Sequence, residues 1–198
     1  SYGGYYSLED IHAVLNHATR LGITVIPEIE LPGHSNEIFA AYPELSCLNE
    51  WAFENSDVCI GNEKTFKFFE DILDEVMAIF PSKYIHIGGD EATMKHWGKC
   101  AKCQARMKSE GLKDEHELQS YMIRRIEKYL NSKGRKLIGW DEILMGGLAP
   151  DATVMSWRGE EGAILAAKEG HDVILTPNSH VYLDLYQRES DHEPRANG

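Results

Sequence analysis

Short, apolar, β-branched runs alternate along this chain with longer stretches of helical periodicity, and that alternation leaves few folds open. Leu8, Ile11, Val14, Leu15 and Ala18 recur every three to four residues. Residues 9–21 therefore read as a helix, with Ser7 as N-cap and Gly22 as its stop. Ile23-Thr24-Val25-Ile26, halted by Pro27, reads as a buried strand. A second helix is expected near Ser35. Residues 42–61 carry Pro43, two cysteines and Asn/Asp/Glu clusters, and read as a long irregular loop. Residues 65–80 are strongly helical, with Phe66, Phe69, Ile72, Leu73, Val76 and Ile79 on one face. Residues 83–87 read as a strand, 114–133 as a long helix, 136–140 and 153–157 as strands, 160–168 as a helix and 172–176 as a fifth strand. Residues 191–198 read as ragged and unpaired.

Strands alternating with helical crossovers imply a parallel sheet. An open doubly wound sheet concentrates its site at one switch point. A (β/α)8 barrel builds its site from several strand ends on one face. Here every strand ends in a polar or aromatic signature: Glu28/Glu30/His34, Asp90/Glu91, Trp140/Asp141/Glu142, Trp157/Arg158 and Tyr182/Asp184. Five loaded ends favour the barrel. Five strands and 198 residues fall short of the ~250 residues of a complete one. The expected fold is thus α/β, of (β/α)8 TIM-barrel type, present as an incomplete barrel fragment.

Charge narrows the function. Twenty Lys+Arg against 32 Asp+Glu give a net charge of −12, which repels phosphate backbones and disfavours nucleic acid. No apolar run approaches the ~20 residues of a membrane span. The opening Ser1-Tyr2-Gly3-Gly4 shows no signal-peptide pattern. Four cysteines are too few for a disulfide scaffold at this length. Cys100 and Cys103 form a C-x-x-C, while Cys47 and Cys59 stand isolated. A zinc site wants a second ligand pair, and no second C-x-x-C exists, although His96 lies nearby. The plainer reading is a local disulfide, or two free thiols in a helical loop.

The densest chemistry is His86-Ile87-Gly88-Gly89-Asp90-Glu91. Two glycines permit an unusual backbone and close approach of a ligand. Two adjacent carboxylates cannot both ionise easily, so one pKa is expected to rise. A raised carboxylic acid is what protonating a glycosidic oxygen requires. The alternative is an acidic pair capping a following helix. Trp140 and Trp157, both at strand C-termini beside carboxylates, suggest walls around a sugar ring; a buried core Trp would instead need a partner for its indole N–H. Tyr182 and Asp184 add a hydroxyl donor and an acceptor.

These motifs occur in a fixed order with Gly4-Tyr5-Tyr6-Ser7, Val25-Ile26-Pro27-Glu28-Ile29-Glu30-Leu31-Pro32-Gly33-His34, Ile138-Gly139-Trp140-Asp141-Glu142 and Met155-Ser156-Trp157-Arg158-Gly159. Together they resemble the catalytic domain of the β-N-acetylhexosaminidases of glycoside hydrolase family 20, over essentially the whole chain. The resemblance implies that residues 1–198 form one partial catalytic barrel domain, strands three to seven, without a second domain. It implies a substrate-assisted retaining mechanism, one of the exceptions to the two-carboxylate scheme. In that mechanism the sugar's own 2-acetamido oxygen attacks the anomeric carbon. Glu91 would be general acid and then base. Asp90 would accept the acetamido N–H and stabilise the oxazolinium charge. Tyr182 would donate to the acetamido oxygen, Trp140 and Trp157 would wall the pocket, and Asp184 would bind outer hydroxyls. His34 and His86 would sit in the polar network behind the carboxylates. The family's sugar-clamping arginine and its last pocket tryptophan have no counterpart in these residues, so this polypeptide alone is not expected to be fully active.

The implied substrate is a carbohydrate ending in a β-linked N-acetylhexosamine, with no cofactor and no metal. Open barrel edges invite self-association. The family's usual work is extracytoplasmic. Two other readings compete. A metal-dependent hydrolase on the same barrel could converge His34, His86, Asp90 and Glu91, but no H-x-H or H-E-x-x-H motif is present. A non-catalytic carbohydrate-binding barrel fragment is countered by the intact Asp90, Glu91, Trp140, Trp157 and Tyr182.

Overall fold

Ser7 opens the first helix, α1 (Leu8–Arg20), through a reciprocal cap: its hydroxyl accepts from Asp10 N and the Asp10 carboxylate accepts from Ser7 N, which satisfies two donors the helix would leave orphaned. The computed structural model describes residues 3–52 and 54–184, so the expectation for 191–198 lies outside the described residues. Among the described residues five strands follow: β1 (Glu28–Leu31), β2 (Tyr84–Gly88), β3 (Lys136–Trp140), β4 (Thr153–Ser156) and β5 (Val173–Leu175). They pair in chain order, β1-β2-β3-β4-β5, and every pairing is parallel. This is the expected arrangement of consecutive barrel strands. Between them lie α2 (Asn36–Ala41), α3 (Glu63–Ile79), α4 (Ala101–Glu110), α5 (Glu115–Ser132), α6 (Glu161–Lys168) and, after β5, the one-turn α7 (Asn178–Val181).

Register sorts the side chains. Glu28 pairs with His86, His86 with Ile138 and Ile138 with Thr153. Alternation then sends Glu28, Glu30, His86 and Trp140 to one face of the sheet. Ile85, Ile87, Leu137 and Val154 point the other way, into a single buried core with Phe66, Phe69 and Leu73 of α3 and Leu118, Met122, Ile126 and Leu130 of α5. Each such side chain contributes roughly 1.5–3 kcal/mol on full burial. Asp114 caps α5 and Asn62 caps α3, as their side-chain oxygens favour. Glu63 of α3 pairs with Arg106 of α4 and Arg125 of α5, which ties the three helices together.

Three expectations need correction. The first strand is not residues 23–26 but Glu28–Leu31. The register that sets Glu28 against His86 puts residues 23–25 opposite Pro81-Ser82-Lys83, before β2 has begun, so they have no ladder to join; Pro27 O, accepting from His86 N at 3.0 Å, starts the pairing. Helix α4 stands where the sequence suggests only a helical loop. Its sequence buries just Cys103 and Met107, too narrow a stripe to show as periodicity. Tyr182 does not end the fifth strand directly but follows α7.

Of residues 42–61, read as an irregular loop, 42–52 and 54–61 are irregular as expected, with a turn at Pro43–Leu45 and an isolated bridge, Ser46 to Val58. On α1, Leu15 and Ala18 are buried while Leu8 and Val14 are exposed. Ile164, Leu165 and Leu175, at the β5 side, are exposed too. Among the described residues no helix is long and apolar enough to cross a membrane.

Candidate active site

The C-terminal ends of β1 to β4 surround a cavity of about 290 Å³ lined by Glu28, Glu30, Asp90, Glu91, Trp140, Trp157 and Tyr182. Five of these are candidates from sequence; Glu28 and Glu30 stand out there only as strand-end signatures. The pattern Glu-Ile-Glu was the available signal: a period of two puts both carboxyls on the site face and Ile29 against the core.

Gly88 makes room for this. Its φ is +67°, and a Cβ there would lie 2.0 Å from Glu30 Oε2, so only glycine lets the β2 end accept the Glu30 carboxyl. Glu30 Oε2 is buried without a hydrogen-bond partner among the described residues. Burial, with Asp90 and Glu28 alongside, pushes the Glu30 pKa up to about 8, so this carboxyl holds its proton at neutral pH.

His34 joins the two expected carboxylates. Its Nε2 stands 3.2 Å from Asp90 Oδ2 and 3.3 Å from Glu91 Oε2. Asp90 is mostly covered and Glu91 mostly open, at 16% and 57% side-chain exposure. Both His34 (φ +50°) and Glu91 (φ +49°) sit in the left-handed region, which non-glycine residues adopt at a cost of order 1–3 kcal/mol. The loop beyond is held by buried Asp57, which accepts from Thr93 N at 3.1 Å, Thr93 Oγ1 at 2.6 Å and Met94 N at 2.7 Å. No helix starts after Glu91 before the short turn Trp97–Lys99, so the pair is not a helix cap. Asp90 Oδ1 is buried and has no hydrogen-bond partner among the described residues.

His86 lies behind, 3% exposed. Its Nδ1 accepts from Gly88 N at 3.0 Å, which leaves the ring proton on Nε2. Burial lowers its pKa, against the pull of Glu28 and Asp90, so the ring is neutral. It packs against Trp140, with ring centroids 4.8 Å apart, and Trp140 Nε1 donates to Glu28 Oε1 at 2.9 Å. Across the cavity, Trp157 Nε1 donates to Glu142 Oε2 at 3.1 Å and Trp157 N to Asp141 Oδ1 at 3.1 Å. Arg158 Nε donates to Asp141 Oδ2 at 2.8 Å. Tyr182 stacks on Trp157 at 6.2 Å and 19°, and burial, then Asp184, raises its phenol. Asp184 is exposed and does not line the cavity.

Among the described residues two groups could hold a cation by proximity: His34, Asp90 and Glu91 at the cavity, and Cys47, Cys59, Cys100 and Cys103 elsewhere. His86 does not join the first, which weakens the metal-hydrolase alternative.

Known proteins place this arrangement. The family model described as "Glycosyl hydrolase family 20, catalytic domain" matches residues 1–198. A beta-hexosaminidase of Porphyromonas gingivalis is 51% identical over 100% of this chain and 26% of its own length. One of Vibrio furnissii is 39% identical over 98% of this chain and 33% of its own. The crystal structure of a beta-N-acetylhexosaminidase from Bacteroides fragilis superposes with a TM-score of 0.86 at 36% identity, covering 98% of this chain and 40% of that one. A Vibrio harveyi exo beta-N-acetylglucosaminidase, solved in complex with N-acetylglucosamine, gives 0.79 at 33% identity over 89% of this chain and 29% of that one. The chain spans about a quarter to a third of the length of the curated relatives it matches most fully. A parallel sheet loaded with acids and indoles at its strand ends, and a match along its whole length, establish that this chain belongs to glycosyl hydrolase family 20.

Proposed function

We propose that the protein is a β-N-acetylhexosaminidase, releasing terminal non-reducing N-acetylglucosamine or N-acetylgalactosamine by substrate-assisted retention. The observation that carries the reading is the Asp90 carboxylate: it lines a cavity walled by Trp140, Trp157 and Tyr182, and its buried Oδ1 has no hydrogen-bond partner among the described residues. A buried carboxylate oxygen without a donor is costly until a ligand supplies one; an acetamido N–H is such a donor. The cavity is at the small end of ligand pockets, roughly 300–1,000 Å³, which suits one sugar rather than a chain of them.

In this reading the acetamido oxygen attacks the anomeric carbon as the glycosidic C–O bond breaks. Glu91, at the open side, gives its proton to the departing oxygen. Asp90, fixed through Oδ2 by His34, orients the amide and balances the positive charge of the oxazolinium. Water then attacks the same carbon, Glu91 takes its proton, and the acetamido group is restored. Two inversions retain the configuration. Holding the nucleophile in place supplies effective molarity, so the chain's task is orientation and charge. The two indoles wall the ring, and Tyr182 donates to the acetamido oxygen. Asp184, outside the cavity lining, is left to contact outer hydroxyls.

The test uses the full-length protein with an aryl β-N-acetylglucosaminide and the matching β-glucoside. Cleavage of the N-acetyl substrate alone, lost in Glu91→Gln, is the expected result. Equal cleavage of both would mean a protein nucleophile and would end the role given to Asp90.

A further inference from the structure

Away from the cavity, four cysteines from three separate stretches meet. Cys47 follows the turn at Pro43–Leu45, Cys59 follows the bridge at Val58, Cys100 is the N-cap of α4 and Cys103 lies in its first turn. All four Sγ atoms lie within 4.8 Å of one another. The spacings are 3.6 Å for Cys47–Cys103, 3.7 Å for Cys59–Cys100 and 3.7 Å for Cys59–Cys103. The thiols are unbridged, since a disulfide needs about 2.05 Å. Nor do they fall into two pairs: Cys59 is equally far from Cys100 and Cys103. Sulfurs bound at ~2.3 Å around a tetrahedral zinc stand about 3.8 Å apart. The three spacings sit close to that edge length. The sulfurs leave room for one ion and none for a multi-iron cluster.

The surroundings fit a metal thiolate. Cys59 and Cys103 are 0% exposed and Cys100 is 9% exposed, so this is a closed site with no open coordination position. Gly61 N donates to Cys103 Sγ at 3.4 Å, the kind of outer hydrogen bond that steadies a ligating sulfur. That contact depends on glycine: a Cβ at Gly61 would lie 2.1 Å from Lys102 C and 2.3 Å from Cys103 N. The N-terminal end of α4 brings its positive dipole to Cys100 and Cys103.

We propose that Cys47, Cys59, Cys100 and Cys103 bind one zinc-class divalent ion in a tetrahedral, all-thiolate structural site. The ion fastens the stretches around Cys47 and Cys59 to α4. Asp57, which holds Thr93 and Met94 behind the carboxylate pair, is two residues from Cys59, so the site braces the frame on which Glu91 is presented. Binding releases the thiol protons to solvent, and affinity therefore rises with pH.

The experiment is metal analysis of the full-length protein, purified reduced and without chelators, before and after zinc addition. About one zinc per chain is expected, released by a mercurial reagent and not by dilution. Cobalt replacement should give the intense visible absorption and sulfur-to-cobalt charge transfer of a tetrahedral thiolate. Cys100→Ser/Cys103→Ser should lower the metal content at least about tenfold. Should that variant fail to fold, Cys47→His should keep the metal and Cys47→Ala lose it. A wild-type protein that stays metal-free after zinc addition, with all four thiols open to a thiol reagent, overturns the proposal. So does an intact mass showing two disulfides under the same conditions. None of these readouts depends on glycosidase activity.

Discussion

On the β1–β2 side of the cavity stand Glu28, Glu30, Asp90 and Glu91, with His34 between the last two. On the β3–β4 side stand Asp141 and Glu142, each bound to Trp157, with Arg158 beside both. The residue types are alike and their circumstances differ. Asp141, 4% exposed, has donors for both oxygens; Glu142, raised by burial, is steadied by the Trp157 indole and Arg158. Across the cavity, Glu30 Oε2, Asp90 Oδ1 and His86 Nε2 are buried with no partner among the described residues. Folded proteins rarely leave such atoms unmet. The β3–β4 acids build a frame for an indole, while the β1–β2 acids keep polar atoms in reserve for something that is not protein.

That contrast breaks first at Asp90. Asp90→Asn keeps the shape and loses the charge that faces the acetamido group. Turnover should fall by about 100-fold or more, with an unchanged circular dichroism spectrum. Near-normal turnover would make Asp90 a frame residue like Asp141. Asp141→Ala should do the reverse. It strips Trp157 N and Arg158 of their acceptor and should cost about 1–3 kcal/mol of stability, seen in denaturant midpoint. Turnover should fall less than in Asp90→Asn. An Asp141→Ala protein of full stability would show that the indole is held by packing alone.

The sequence made the frame more legible than the free side. Trp140, Asp141, Glu142, Trp157 and Arg158 stand directly at strand ends, and β3 and β4 were placed within a residue of their bounds. Glu28 and Glu30 were harder. The apolar run at residues 23–26 drew the strand upstream, because periodicity cannot reveal where a partner strand begins. The pKa of Glu30 depends on Gly88, 58 residues away in sequence, lacking a side chain. The convergence of Cys47 and Cys59 on Cys100 and Cys103 was illegible for the same reason: spacing rules catch ligand pairs, while single cysteines brought in by an irregular loop carry no local pattern.

Glu30 offers a smaller test that reads the free side directly. Its pKa rises from near 4.5 to about 8 on folding. Below 4.5 both states hold the proton and the group is neutral in its effect. Between 4.5 and 8 the unfolded chain releases the proton while the folded one keeps it, so stability is lost as pH rises through that window. Glu30→Gln removes the titration. The melting-temperature gain of the variant over wild type should grow from pH 5 to pH 8 and then level. A constant difference would mean that Glu30 is already ionised and partnered, as the β3–β4 acids are.

The smallest effect is expected at Trp140, whose two roles can be separated. Its ring walls the cavity beside His86, and its Nε1 donates to Glu28 in an exposed contact. Trp140→Phe keeps an aromatic wall and removes the donor. A net hydrogen bond contributes about 0.5–1.5 kcal/mol, and this one, open to water, belongs at the low end, so kcat/KM should drop by a few-fold at most. Trp140→Ala removes the wall as well and should act mainly through KM. Equal losses in the two variants would make the Glu28 contact the working part of Trp140. Glu28 would then be held as firmly as Asp141 and Glu142, and the division between the two sides of the cavity would begin at Glu30 instead.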